Sequence, residues 1–348
     1  MRFFALTVPG LGGLLRDELA GQLPAGACGD VEHDGRSDVV PFAAGPTGPP
    51  DAHLAEDLFV EIGTGDPGAP LGRLTGRLWS AQRYDEALGV IQPRLGHLGP
   101  RPTFRVVARL RDEQGFQRTE LRDALTAAVL RERPRWRPAD PAAVELWALQ
   151  TRRGRLRLGV RLSDRRMRQR AGREVERPGA LRPVVAAAMV RLAAPPPSGR
   201  SLSLLDPCCG SGTILREALA AGRRAIGADI ARDAIAAARA NLPPGAPLLL
   251  ADAAALPFRS AAAGAVVSNL PFGRRYAVEQ PATWLRRALA EFERVVVPGG
   301  AIVLLAPRSA AFQRALEHLR TATLRERHPV RLLGQPTTLW VLRRPAGA

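Results

Sequence analysis

The stretch Asp206-Pro207-Cys208-Cys209-Gly210-Ser211-Gly212-Thr213 decides the fold. It follows an apolar run, Leu202 to Leu205, and opens a helix-like segment over about 213–221. Gly210 and Gly212 permit positive φ and close approach of a ligand to the backbone, and the helix N-terminus beyond them is electropositive. One Gly-x-Gly turn is weak evidence, so the strands on either side carry the argument. Arg224 to Gly227 predicts a second strand that ends at Ala228-Asp229, and Leu248 to Ala251 a third that ends at Asp252-Ala253. Further strands are expected at Ala265 to Ser268 and Ala301 to Ala306, with helices over about 231–241, 282–296 and 309–320. Two last strands, about 322–330 and 337–343, have no helix between them and are expected to pair antiparallel. The alternation predicts an α/β, Rossmann-like sheet of seven strands with a terminal antiparallel hairpin, and a ligand site at the carboxyl ends of the strands.

Three of those strand ends describe a receptor for adenosine. Asp229 can accept both ribose hydroxyls, and Asp252 is placed to meet the adenine edge. Positions 210, 212 and 215 are Gly, Gly and Leu, so the full dinucleotide fingerprint is missing, and the chain has no Lys to hold a triphosphate. A cofactor with adenosine but no phosphates fits, and S-adenosylmethionine is the expected one.

The fourth strand ends in Ser268-Asn269-Leu270-Pro271-Phe272-Gly273. An amine attached to a base ring is a poor nucleophile because its lone pair is delocalised. The Asn269 side-chain oxygen and the Leu270 carbonyl can each accept one N–H and so aim the nitrogen lone pair. Pro271 stiffens the loop, and Phe272 offers a face on which an extruded base can stack. Arg274 and Arg275 follow at once, where they either hold phosphates beside that base or are ordinary surface arginines. Cys208 and Cys209 are read as small fillers of the cofactor loop, since a cysteine nucleophile would need a Pro-Cys later in the sheet. Asp233 is read as a first-turn partner of the helix dipole. Trp136, Trp147, Trp284 and Trp340 are read as core.

The chain has 348 residues, more than one ordinary core holds, and 46% of them are hydrophobic, enough for two folded domains. Its 50 basic residues are all Arg and exceed 33 acidic ones, for a net charge of +17. A genome rich in G and C explains the missing Lys but not the positive sign, which favours a polyanion such as nucleic acid. The surplus is local: residues 101–182 hold 22 Arg against 10 Asp or Glu. The three cysteines suggest no disulfide framework and point to a reducing, cytoplasmic compartment. The five histidines lack ligand spacing, so no metal is expected. No apolar window of about 18 residues or a signal core suggests a membrane span or export.

The first half reads as mixed α and β. A strand is expected from Phe3 to Val8 and a helix from Leu11 to Leu23, then loop through Gly45 to Pro50. Leu58 to Ile62 predicts a strand, Gly63 to Gly72 a loop, and Leu74 to Val90 a helix. A clearer pattern follows: strand Phe104 to Arg109, helix Thr119 to Arg133, strands Val144 to Leu149 and Leu156 to Leu162. Arg105, Arg109 and Arg118 are the candidate phosphate contacts of this basic half.

Asp206 to Thr213, Asp229, Asp252 and Asn269 to Gly273 resemble the amino-methyltransferases whose catalytic loop reads Asn-Pro-Pro-Tyr. The Asn-Leu-Pro-Phe-Gly variant is most similar to the THUMP-domain RNA guanine-N2 methyltransferases. Phe4 to Leu11, Phe104 to Arg109 with Arg118 to Leu130, and Arg177 to Pro183 resemble that family's opening, THUMP core and entry into the catalytic domain. The resemblance implies a class I methyltransferase domain over 181–348, preceded by a ferredoxin-like unit over 1–55, a THUMP RNA-binding domain over 56–165 and a linker over 166–180. It implies methyl transfer to a guanosine 2-amino group, with the tRNA acceptor stem as the expected substrate, by a monomer. The cofactor would be held by Asp206, Cys208, Gly210, Gly212, Thr213, Asp229, Ile230, Asp252 and Ala253, and the target base by Asn269, Leu270, Pro271 and Phe272. Leu270 and Phe272 depart from the commoner Pro and Tyr but keep a backbone carbonyl and an aromatic face. The alternatives are a ribosomal RNA guanine-N2 methyltransferase, a DNA adenine or cytosine amino-methyltransferase, and an RNA-binding protein without activity.

Overall fold

The computed structural model describes residues 1–348 except 46, 152–153, 164–166, 168–169, 171–173, 176, 178, 195–201, 272–280, 333 and 347–348. The chain divides into two compact units, Met1–Arg168 and Gln169–Ala348.

The first unit is built on one eight-stranded sheet in the order β2-β3-β1-β4-β8-β7-β5-β6. Its strands are β1 (Arg2–Thr7), β2 (Glu32–His33), β3 (Asp38–Ala43), β4 (Asp57–Gly65), β5 (Thr103–Arg109), β6 (Arg137–Pro138), β7 (Val144–Gln150) and β8 (Leu156–Arg161). Because β4 pairs with β1 on one side and β8 on the other, the sheet runs unbroken across the stretch where two units, 1–55 and 56–165, were expected. The boundary between compact units falls inside the expected 166–180 linker, and residues from 169 onward group with the second unit.

Among the described residues five helices accompany this sheet: α1 (Gly12–Ala20), α2 (Leu71–Leu78), α3 (Ala81–Glu86), α4 (Leu88–Leu95) and α5 (Arg118–Glu132). The helix α5 carries the chain between the parallel strands β5 and β7, as a crossover connection must. The expected helix 74–90 is instead three short ones. Trp79 adopts an extended conformation that stops α2, and the Ser80 hydroxyl accepts the Arg83 N–H to start α3. The expected loop from Gly63 is strand as far as Gly65. A Cβ on Gly63 would lie 2.0 Å from the Leu78 carbonyl oxygen, so this glycine is where α2 packs onto the strand.

The second unit has the expected sheet of seven strands, ordered β11-β10-β9-β12-β13-β15-β14. They are β9 (Leu204–Asp206), β10 (Ala225–Asp229), β11 (Leu248–Leu250), β12 (Ala263–Asn269), β13 (Val296–Ala306), β14 (Thr323–Leu332) and β15 (Gln335–Arg343). The first five are parallel, and β15 pairs antiparallel with both β13 and β14. The helices are α6 (Pro183–Leu192), α7 (Thr213–Ala220), α8 (Arg232–Asn241), α9 (Pro281–Val295) and α10 (Ala310–Glu317). The buried strand residues Leu205, Val266 and Leu304 pack with Leu289, Phe292 and other side chains of one continuous core. The order of strands reverses between β9 and β12, so their carboxyl ends open a crevice at the position where α/β sheets bind ligands.

Candidate active site

The sequence 206–213 forms the turn from β9 into α7. Gly210 and Gly212 both lie in the left-handed region, at φ 53 and φ 82. A Cβ on Gly212 would stand 3.2 Å from Leu242, whereas one on Gly210 would meet nothing within 4 Å. The space over Gly210 is therefore open to a ligand, and the other glycine serves packing. Thr213 is buried in the first turn of α7, where backbone N–H groups lack partners within the helix.

Asp206 is buried and accepts hydrogen bonds from the Ser268 hydroxyl at 2.8 Å and from the Cys208 N–H at 3.2 Å. Burial raises its pKa to about 7, an effect that the two donors reduce and the nearby Asp229 reinforces. The thiols of Cys208 and Cys209 are pushed well above their ordinary range by burial and by the charges of Asp206 and Asp229. Raised in this way, both thiols favour the protonated form.

Asp229 ends β10. Its Oδ2 accepts the Gly210 N–H at 2.9 Å and its Oδ1 the Ala231 N–H at 3.0 Å, which orients the carboxylate beside the turn. Each oxygen keeps a second lone pair for a hydroxyl. The next residue, Ile230, is 70% exposed, and Leu250 at the end of the neighbouring β11 is 48% exposed. Large apolar side chains left open beside a pocket of polar groups suit a flat aromatic ligand. Asp252 accepts the Ala254 N–H at 2.9 Å and the Trp284 indole N–H at 3.3 Å, both on Oδ1. Its Oδ2 remains for a donor on a ligand edge, and Ala253 beside it is buried.

At the end of β12 the Asn269 side-chain oxygen is buried with no hydrogen-bond partner. A buried acceptor left unpaired costs on the order of 1–3 kcal/mol and calls for an explanation. Leu270 buries its side chain in the core and donates its N–H to the Leu305 carbonyl at 3.2 Å, which fixes the start of the loop. Pro271 is half-buried. Phe272, Arg274 and Arg275 lie outside the described residues.

Two of the three basic candidates of the first unit have partners already. Arg105 pairs with Asp140 at 2.7 Å and Glu145 at 2.9 Å, and Arg109 pairs with the buried Asp34 at 3.2 Å while its guanidinium lies 4.4 Å from the Trp147 ring centre. Arg118 is exposed at the start of α5. No cluster of His, Cys, Asp and Glu able to hold a metal ion occurs among the described residues. Among them no helix is long and apolar enough to cross a membrane.

Sequence reasoning gave no role to Ser268 and placed Trp284 in the core. Ser268 stood inside the quoted motif, but a bond to a residue 62 positions away has no local signal. Trp284 packs against the core with part of its ring and reaches Asp252 with its N–H, a division that the sequence does not encode.

Residues 170–333 match the family described as UPF0020, RMKL-like, methyltransferase domain. A curated bovine protein, U6 snRNA (guanine-N(2))-methyltransferase THUMPD2, is 35% identical over 109 residues, which span 29% of this chain and 21% of that protein. The crystal structure of TrmN from Thermus thermophilus is similar over 99% of both chains, with a TM-score of 0.78 and 28% identity. A structure from Listeria monocytogenes described as a predicted N6-adenine-specific DNA methylase shares the fold over 99% of this chain and 96% of its own, with a TM-score of 0.66 and 15% identity. Together with the strand-end motifs, these likenesses lead to one assignment: residues 170–333 carry a methyltransferase domain of the RMKL-like kind.

Proposed function

We propose that the protein is an S-adenosylmethionine-dependent RNA methyltransferase that modifies the 2-amino group of a guanosine, with the acceptor stem of tRNA as substrate. The observation that carries this reading is the buried, unpartnered side-chain oxygen of Asn269 at the end of β12. An extruded guanine would present an N–H to that oxygen and its second N–H to the Leu270 carbonyl. Held by both, the nitrogen lone pair is directed out of the base plane, and the amine regains nucleophilicity. When bound, the cofactor supplies an electrophilic methyl group on a sulfonium.

The chain's residues fit such a group. The open space over Gly210 admits the ligand against the backbone, Asp229 has lone pairs for two ribose hydroxyls, and Asp252 Oδ2 can accept from the adenine amine. Exposed Ile230 would be covered by the adenine face. Phe272 would stack the target base, with Arg274 and Arg275 on flanking phosphates. No general base is needed before transfer, because the proton can leave the cationic amine afterwards.

The first unit would hold RNA through its charge and shape, with exposed Arg118 a direct phosphate contact. Arg105 and Arg109 would act there only by sharing guanidinium N–H groups that now face carboxylates. The protein would act as a monomer in the cytoplasm, where its three cysteines stay free. The test offers methyl-labelled cofactor with unmodified tRNA, ribosomal RNA and DNA in separate reactions. Label on tRNA supports the reading, label on ribosomal RNA redirects the substrate, and label on DNA adenine or cytosine overturns it.

A further inference from the structure

The segment that leads into the second unit is fastened behind the turn 210–213. Asn241, the last residue of α8, is only 6% exposed and uses all four of its hydrogen-bonding positions. Its Oδ1 accepts the Glu174 N–H at 2.8 Å and the Val175 N–H at 2.9 Å. Its Nδ2 donates to the Val175 carbonyl at 2.8 Å and to the Ser211 carbonyl at 3.0 Å. Two ion pairs hold the same segment, Arg177 to Asp233 on α8 at 2.6 Å and Arg170 to Glu217 on α7 at 3.3 Å.

The Ser211 carbonyl matters because of its neighbours. Ser211 lies between Gly210 and Gly212, so the backbone on either side has little steric resistance to rotation. The peptide group joining 211 to 212 is held at its two ends: the Gly212 N–H donates to the Cys209 carbonyl at 2.8 Å, and Asn241 grips the Ser211 oxygen. A cavity lined in part by Pro183, Ser211, Thr213 and Asn241 adjoins the turn, so close packing does not replace the hydrogen bond.

We propose that Asn241 is a positioning residue that couples the backbone of Glu174 and Val175 to the shape of the cofactor turn, making order at those two residues and cofactor binding one linked equilibrium. This rests on the reading of 206–213 as the S-adenosylmethionine turn. A side chain that holds both partners transmits order in both directions: an ordered backbone at Glu174 and Val175 presets the turn, and a filled turn steadies that backbone.

The test compares the full-length wild type with Asn241→Asp and Asp233→Ala. The first variant keeps the shape and both accepted bonds but sets a carboxylate oxygen against the carbonyls of Val175 and Ser211. The second removes the exposed anchor of Arg177, together with the first-turn bond that Asp233 accepts from the Ala234 N–H, and leaves Asn241 and the turn intact. Calorimetry gives the affinity for S-adenosylmethionine, and hydrogen exchange at the amides of Glu174 and Val175 is followed with and without it. In the wild type, cofactor should slow exchange at both amides. In Asn241→Asp the affinity should fall about tenfold and the slowing should disappear, with kcat at saturating cofactor within about twofold of wild type. Asp233→Ala should speed exchange in the free protein and weaken cofactor binding by about twofold. Wild-type exchange that ignores bound cofactor, or cofactor affinity unchanged in Asn241→Asp, overturns the coupling even if methyl transfer is intact. A wild type that binds no S-adenosylmethionine overturns the reading of the turn itself, and the coupling with it.

Discussion

Ser268 donates its hydroxyl hydrogen to Asp206 across 2.8 Å, a buried bond that joins the ends of β12 and β9. The residue just before Asn269 is thereby tied to the carboxylate that opens the turn 206–213. One contact thus holds together the strand proposed to position the target amine and the strand proposed to lead to the cofactor.

The same carboxylate makes stability depend on pH. Its pKa rises from an ordinary 3.8 to about 7 because burial disfavours the charged form. Between those values the folded protein binds more protons than the unfolded one, so this group's contribution falls as pH rises through the window, by at most about 1.4 kcal/mol per pH unit. Above about 7 the loss is complete. Melting temperatures of the cofactor-free protein from pH 5 to 8 should therefore decline more steeply in wild type than in Asp206→Asn. A cationic cofactor favours the ionised form, so its stabilising effect should be larger at pH 8 than at pH 6. Equal slopes for the two proteins would remove Asp206 as the titrating group.

Asn269→Ala should reduce kcat by a factor on the order of 10²–10³, the usual effect of deleting one hydrogen bond directed at the reacting group. Affinity for S-adenosylmethionine should change by less than about twofold. Stability should not fall, because the deleted oxygen has no partner in the cofactor-free fold. Steady-state kinetics, calorimetry and thermal melting separate the three expectations.

The two glycines of the turn should fail in different ways. Gly212→Ala forces a side chain into φ 82 and against Leu242 at 3.2 Å, so it should lower the melting temperature, at a cost of about 1–2 kcal/mol or more. Gly210→Ala carries backbone strain but meets no atom within 4 Å. Its methyl would occupy space meant for cofactor, so binding should suffer more than stability. Melting and calorimetry on both variants check the contrast.

Arg157 is 6% exposed and bridges Glu32 at 2.7 Å and Glu61 at 2.6 Å, which links β8 to β2 and β4. Arg157→Met would leave two carboxylates buried without their cation and should destabilise the first unit by about 3–5 kcal/mol. Denaturant unfolding measures this loss. The triple change with Glu32→Gln and Glu61→Gln should recover much of it, since the penalty comes from unpaired charge.

The sheet of the second unit was legible because its candidate site residues sit at strand ends or in the turns after them, where apolar runs stop and Asp, Gly or Asn-Leu-Pro begins. The first unit was less so. β3 carries Pro41 within Asp38–Ala43, a residue that argues against a sheet interior. It is accommodated because β2 pairs only with Asp38 and Val39, and beyond them that side of the strand meets residues 27–29, which use the Pro41 carbonyl, an acceptor for the Gly29 N–H at 2.8 Å, and need no N–H from the proline. Gly63 and Gly65 suggested a loop, but they mark close packing of α2 on β4. The arginines of β5 read as a phosphate surface, while the fold engages Arg105 and Arg109 with carboxylates of β7 and of the β2–β3 turn, partners distant in sequence. Asn241 carried no sequence signal, because its four bonds go to residues at least 30 positions away.

The most direct measurement is the identity of the methylated nucleoside. Unmodified tRNA would be incubated with methyl-labelled S-adenosylmethionine and either wild type or Asn269→Ala, digested to nucleosides and resolved by mass spectrometry. The account predicts label in N2-methylguanosine with wild type and its near disappearance with the variant. Label in another nucleoside, or equal yields of N2-methylguanosine from both proteins, would contradict it.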